Sequence, residues 1–230
     1  MNYYLKIFFK LIRDNKHFLI TYCLIAICFL FYISFSNKGD EIVLINNYRN
    51  DFNDNIFKYS SIIAEGTFYG IFLLILGAFR FKYLFNGVIT FLLAGCLTQI
   101  LKKIFNLPRP IACLDECIIS TLNFVEGVKV HSHYSFPSGH STAAFSMMFF
   151  LSLITPNKYV RILFAIIATF VGISRVYLFQ HFLIDVLVGS FLGIFVTLIV
   201  YRFVLVQKKI VLSKWYNFSL IEILFKRNEL

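Results

Sequence analysis

Apolar residues gather in six long runs, at residues 18–36, 60–79, 86–103, 138–155, 160–180 and 182–203. Each is close to the ~20 residues that an α-helix needs to cross the hydrocarbon of a bilayer. The third and fourth are the least apolar, because each carries polar residues at one end. The pattern predicts an all-α integral membrane protein, a bundle of six transmembrane helices. Neither an internal repeat nor a low-complexity linker interrupts it, so residues 1–230 read as one membrane-embedded domain.

The polar segments between the runs set an orientation. One set carries Lys6, Lys10, Arg13, Lys16, Arg80, Lys82, Lys158, Arg161, Arg202, Lys208, Lys209, Lys214, Lys226 and Arg227, against only Asp14, Glu222 and Glu229. The other carries Asp40, Glu41, Asp51, Asp54, Asp115, Glu116 and Glu126. The positive-inside rule then places both termini in the cytoplasm and the long 104–137 loop outside. Residues 1–16 set Tyr4, Ile7, Phe8 and Leu11 against Lys6, Lys10 and Arg13. Residues 208–230 combine Trp215, Phe218, Ile221, Leu224 and Phe225 with basic side chains. Both read as short interfacial helices at the headgroup level. Residues 37–58, rich in Asn and Asp, are expected to lie along the outer surface. The first run is retained as a span rather than cleaved as a signal peptide, since a long amphipathic stretch precedes it and no small-residue cleavage site follows.

Composition agrees with lipid as part of the solvent: 59% of the residues are hydrophobic, 19% aromatic and 15% charged, with a mean hydropathy of +0.75. The net charge of +10 does not point to nucleic acid, because the basic residues fall between apolar runs rather than on one soluble face. Abundant Lys, Asn, Ile and Phe suggest an AT-rich bacterial genome, and hence a bacterial cytoplasmic membrane. Cys23, Cys28 and Cys96 lie within apolar runs, whereas Cys113 and Cys117 share a polar loop and can pair if that loop faces an oxidising compartment.

Ionisable residues within or at the ends of spans are costly and mark function. Three groups stand out, all at outer ends: Lys102 to Pro110, then Pro137-Ser138-Gly139-His140, then Ser174-Arg175 followed by His181 and Asp185. Lys102, Arg109 and Arg175 supply three cations suited to a phosphate. Ser138 and Gly139 open the fourth run, where a helix N-terminus favours an anion. His181 and Asp185, four apart, share a face if helical, so the carboxylate can hold one ring nitrogen and leave the other to attack phosphorus. His140 is placed to protonate the leaving oxygen. His131 and His133 are read as polar loop residues, and Glu65 as a candidate partner for one of the cations.

The three strings resemble the three-part signature of the type 2 phosphatidic acid phosphatase (PAP2) superfamily, K-x6-R-P, P-S-G-H and S-R-x5-H-x3-D. The resemblance covers about residues 60–203. It implies an all-α enzyme that needs no metal or other cofactor. His181 would be the nucleophile that becomes phosphohistidine, Asp185 its orienting acid and His140 the general acid. Lys102, Arg109, Ser138, Gly139 and Arg175 would bind the phosphate. The expected substrate is a lipid phosphate at the outer face: undecaprenyl diphosphate, lipid A, phosphatidylglycerol phosphate or phosphatidic acid, with polyprenyl diphosphate and lipid A favoured by the outward site. A phosphotransferase would share this pocket, and an anion transporter would lack the phosphohistidine.

Overall fold

A computed structural model describes residues 3–226, and all the regular structure among them is helical. Arg227 and Glu229, counted above as cytoplasmic charges, lie outside the described residues, as do the side chains of Tyr4, Phe225 and Lys226. In chain order the helices are α1 (Tyr3–Asp14), α2 (Lys16–Phe35), α3 (Asp40–Asn46), α4 (Asp51–Ser60), α5 (Gly66–Phe79), α6 (Phe81–Phe105), α7 (Glu116–Thr121), α8 (Gly139–Ile154), α9 (Lys158–Tyr177), α10 (Leu183–Val206), α11 (Lys208–Val211) and α12 (Leu220–Lys226).

Each apolar run contains a helix, but the runs differ in how they meet solvent. Helices α2, α9, α10 and the stretch that contains α6 are long and apolar enough to cross a membrane. Helix α2 leaves Leu24, Ile27, Phe31 and Phe35 exposed along its length, a surface that water would not tolerate. The second run is broken: a 3-10 turn at Ser61–Ala64 meets α5 at Glu65, whose extended backbone interrupts the helix. The axes of α4 and α5 differ there by 57°, so the pair supplies a fifth span only if counted together. Helix α8, at 16 residues, is shorter than a usual span.

That shortness has a physical counterpart. Helix α8 packs against α6, α9 and α10, and Phe145, Met147, Phe149 and Phe150 are buried with Ser141, Thr142, Ser146 and Ser152. Its polar residues therefore face protein, where Ser152 donates to Asn15 Oδ1 at 2.9 Å and Thr142 to the Ser138 carbonyl at 3.0 Å. Its weak hydropathy reflects burial among helices rather than contact with lipid. Close approach to α10 depends on Gly189 and Gly193, one turn apart on that helix. A Cβ at Gly189 would fall 2.5 Å from the Ser138 carbonyl oxygen, and one at Gly193 2.4 Å from that of Thr142. Small residues at this spacing let membrane helices pack backbone to backbone.

Residues 37–58 leave most of their side chains exposed or half-buried, as expected of a surface segment, and are anchored to the bundle at a few buried points. Ile42 on α3 is buried against Phe179, Phe182 and Leu183, and Glu41 accepts from the Leu183 amide at 3.1 Å. A carboxylate at that place satisfies one of the orphan amides that open α10 and complements its dipole. On α4, Asp54 pairs with Arg49 at 2.6 Å and accepts from the Tyr177 hydroxyl at the end of α9. At the opposite end, α1 packs Ile7, Phe8 and Leu11 on the core, and the Phe218 carbonyl receives the Phe81 amide at 2.9 Å, tying the C-terminal segment to the start of α6.

Candidate active site

The C-terminal ends of α6 and α9 and the N-terminal ends of α8 and α10 meet at one end of the bundle. Short backbone links fix them there. The Ser138 amide donates to the Asp185 carbonyl at 3.0 Å, and the amides of Gln180 and His181 both return to the Arg175 carbonyl, at 2.9 and 3.2 Å. The last pair closes α9 and turns the chain into α10. Phe179 takes a left-handed backbone (φ 63°) in that turn, unusual for a bulky residue and held by its burial against Phe124.

This turn changes one expectation. His181 is not helical; it precedes α10, and Asp185 is the third residue of that helix. The two still meet, with Nδ1 3.5 Å from Asp185 Oδ2, because the carboxylate folds back over the helix start and accepts from the Phe182 amide at 3.0 Å. With Nδ1 turned to the carboxylate, Nε2 is left for chemistry. Both residues are almost fully buried.

A cavity of about 420 Å³ opens above them, lined by Arg109, His140, Arg175, Gln180, His181 and Glu65. Four of the eight predicted site residues thus face one space. Arg175 is 7% exposed and its Nε has no hydrogen-bond partner, an unsatisfied buried donor that an anion would satisfy. Arg109 is braced by the His133 carbonyl at 2.9 Å and by Gln180 Oε1 at 2.7 Å. Among the described residues, no group of three or more His, Cys, Asp or Glu side chains is arranged to hold a metal ion. Lys58 and Lys129 also line the cavity, so its positive charge comes from these two lysines together with the two guanidinium groups, which belong to the signature stretches.

The other four predicted residues stand behind this wall. Lys102 donates to the carbonyls of Tyr134 at 2.5 Å and Ser135 at 3.5 Å. Ser138 is the N-cap of α8: its Oγ accepts from the Ser141 amide at 3.3 Å and the Ser141 hydroxyl at 2.9 Å. Gly139 lines a second cavity of about 230 Å³ between α5, α6 and α8, bounded by small residues such as Ala64, Gly95 and Ala143. His140 lines both cavities. Asp185 acts behind His181, as already described.

Of the residues given weaker roles, Glu65 and His131 line the main cavity, whereas the His133 ring meets Ser132 Oγ at 2.8 Å. Cys113 and Cys117 are both free and exposed. Two residues were not singled out by sequence. Gln180 is buried between Arg109 and the Lys129 carbonyl, to which its Nε2 donates at 2.9 Å. Ser135 is 1% exposed with its hydroxyl on Asp185. Adjacency to His181 and to the Pro-Ser-Gly-His string was the only sequence signal for either.

Burial holds the His181 imidazole below the ordinary histidine range, with Arg109 and Lys102 acting in the same direction and Asp185 opposing. A neutral ring is the nucleophilic form, so kcat/KM is expected to stay level as pH falls through ~6.5, the ordinary histidine value. A pH–rate profile with its acid limb at or above that value would contradict this. The sign for stability follows: below ~6.5 the unfolded chain binds a proton that the buried ring resists, so this group makes the fold less stable as pH falls.

A model described as the PAP2 superfamily matches residues 83–209. Phosphatidylglycerophosphatase B of Bacillus subtilis (strain 168) is 34% identical over 139 residues, which are 55% of this chain and 62% of that protein. The chain therefore matches less than two thirds of that relative's length. Among solved structures, the crystal structure of Aquifex aeolicus LpxE superposes with a TM-score of 0.64 at 27% identity, covering 73% of this chain and 96% of that one. The crystal structure of a transmembrane PAP2-type phosphatidylglycerolphosphate phosphatase from Bacillus subtilis gives a TM-score of 0.57 at 26% identity, covering 87% and 98%. With a family model spanning more than half of its length, and folds of that family matching most of its helices, the chain belongs to the PAP2 superfamily.

Proposed function

We propose that the protein is a membrane lipid phosphatase working through phosphohistidine at His181. The observation that carries this is that His140 lines two neighbouring spaces: a polar cavity with His181, Arg109 and Arg175, and a smaller slot of small and mostly apolar residues among α5, α6 and α8. A phosphate in the first space leaves the second for its lipid. His181 Nε2 attacks phosphorus and the bond to the lipid oxygen breaks, that oxygen taking a proton from His140. Water then attacks the phosphohistidine, giving its proton to His140, and phosphate leaves with His181 restored. Asp185 stabilises the ring while it carries charge. Arg109 and Arg175 stabilise the charge on the transferring group, and Lys102, Ser138 and Gly139 support the cradle from behind.

Six spans complete this reading, with α5 and α8 included. Helix α5 alone rises about 21 Å and needs the turn before it, while α8 is sheathed by other helices. Residues 1–230 then form one domain in a bacterial cytoplasmic membrane, with both termini inside, α1 and α12 at the cytoplasmic interface, and the site outside. Phosphatidylglycerophosphate leads the substrates, since the Bacillus subtilis phosphatase matched in sequence and in structure is named for it; polyprenyl diphosphate, lipid A and phosphatidic acid remain in the panel.

Detergent-purified protein is expected to release phosphate from at least one of these lipids in the presence of EDTA. Loss of release with EDTA would contradict metal-independent chemistry. Release only when a second lipid is supplied as acceptor would make the protein a transferase.

A further inference from the structure

One buried side chain next to the site has no place in the chemistry above. Ser135 lies two residues before Pro137, where the second signature stretch begins, and touches the first and the third. Its amide donates to the Leu107 carbonyl at 2.9 Å, and its carbonyl accepts from Lys102 at 3.5 Å. Its hydroxyl donates to Asp185 Oδ2 at 2.5 Å and stands 3.5 Å from His181 Nδ1. Oδ2 is also the oxygen that faces Nδ1, and it accepts the Phe182 amide. The ring therefore shares its carboxylate oxygen with two other donors, one of which can rotate away.

We propose that Ser135 is a positioning residue for the His181–Asp185 pair, holding the carboxylate while the ring is neutral and releasing it to Nδ1–H when the ring becomes charged. The inference rests on the phosphohistidine reading. In the resting state the hydroxyl joins the Phe182 amide in holding Oδ2, where the 3.5 Å approach of His181 Nδ1 is too long to hold it. When phosphorus bonds to Nε2, the ring gains positive charge and its Nδ1–H strengthens toward Oδ2. The serine hydroxyl, free to rotate about its C–O bond, can then donate elsewhere or accept from Nδ1–H. The oxygen demand of the carboxylate is thereby met in both states, with no unsatisfied buried charge in either.

Removing the hydroxyl has a directional consequence. Asp185 would have His181 as its only side-chain hydrogen-bond donor, which favours the imidazolium, so the acid limb of kcat/KM should move to higher pH. The other groups facing the pair are Lys102 on α6, Arg109 in the loop after it, Arg175 on α9 and His140 on α8. Glu41 on α3 is engaged by the Gly39 and Leu183 amides. None is altered by the substitution, so the displacement reports on Ser135.

The test compares the full-length wild type, Ser135→Ala and Ser135→Cys in detergent, with dioctanoyl phosphatidic acid and phosphatidylglycerophosphate as probes and His181→Ala as the reference. Cysteine fills the same space with a weak donor, so it carries the test if alanine does not fold. Expected are an acid limb raised by on the order of half a pH unit, KM within about twofold of wild type, and a fall in kcat of up to about a hundredfold, from a ring and carboxylate no longer held in line before attack rather than from the lost bond itself. A wild-type acid limb in a folded variant, with or without a lower rate, would overturn the proposal and leave Ser135 a packing residue. Full phosphate release by His181→Ala, or none by wild type, would instead overturn the phosphohistidine reading and this inference with it.

Discussion

His181→Ala should lower phosphate release by about ten-thousandfold or more, the scale on which a covalent nucleophile is missed. The loss should appear in kcat, because the groups that face the phosphate, Arg109 and Arg175, are on other elements and keep their supports. The fold should survive. The vacated space is buried, but Asp185 keeps the Ser135 hydroxyl and the Phe182 amide as donors, so no carboxylate is stranded. Phosphate release by the purified variant, beside a thermal melt, checks both halves. A folded variant with more than about a hundredth of the wild-type rate would move the nucleophile elsewhere, since the remaining wall alone supplies only residual catalysis.

Gly189→Ala should be among the most damaging single-methyl changes outside the cavity, and of the two tight glycines on α10 it is the one whose clash falls on Ser138, beside the site. The added Cβ would lie 2.5 Å from the Ser138 carbonyl oxygen and 3.2 Å from Ser141 Cβ. A backbone atom cannot swing aside as a long side chain can, so α8 and α10 must separate. Their separation strains the bond from the Ser138 amide to the Asp185 carbonyl and shifts His140 relative to His181. A displacement near 1 Å at a reacting group costs about a hundredfold in rate, and overpacking of this kind costs roughly 1–3 kcal/mol. Gly70→Ala is the control: a Cβ there meets nothing within 4 Å, so its activity and melting temperature should stay near wild type. Equal behaviour of the two variants would mean that the α8–α10 contact does not set the site.

The sequence revealed the chemistry better than its scaffold. Lys102, Arg109, His140, Arg175, His181 and Asp185 are ionisable residues among apolar ones, and such residues are conspicuous because each must be compensated. Gly189 and Gly193 were not conspicuous, since a glycine's importance depends on which backbone lies opposite, and that is fixed only when α8 packs. The same holds for Glu41, which reads as one acid among several in a polar stretch until Leu183 presents its amide. The spacing of His181 and Asp185 suggested a shared helical face; the Phe179 turn leaves His181 ahead of the helix and brings the pair together by a folded-back carboxylate instead. Periodicity also could not show that the second run breaks at Glu65, because an extended residue between apolar neighbours leaves the hydropathy unchanged. Ser138 and Gly139 were legible as a helix start, but which of their groups would be consumed by Ser141 and Asp185 depended on the tertiary fold.

The central claim is that phosphate passes through His181. The direct measurement is to quench turnover of radiolabelled lipid phosphate in alkaline detergent and map the protein-bound label. The account predicts label on His181, stable to alkali, lost in acid and absent from His181→Ala. Label on another side chain, or full turnover with no protein-bound label at the earliest quench times, would contradict it.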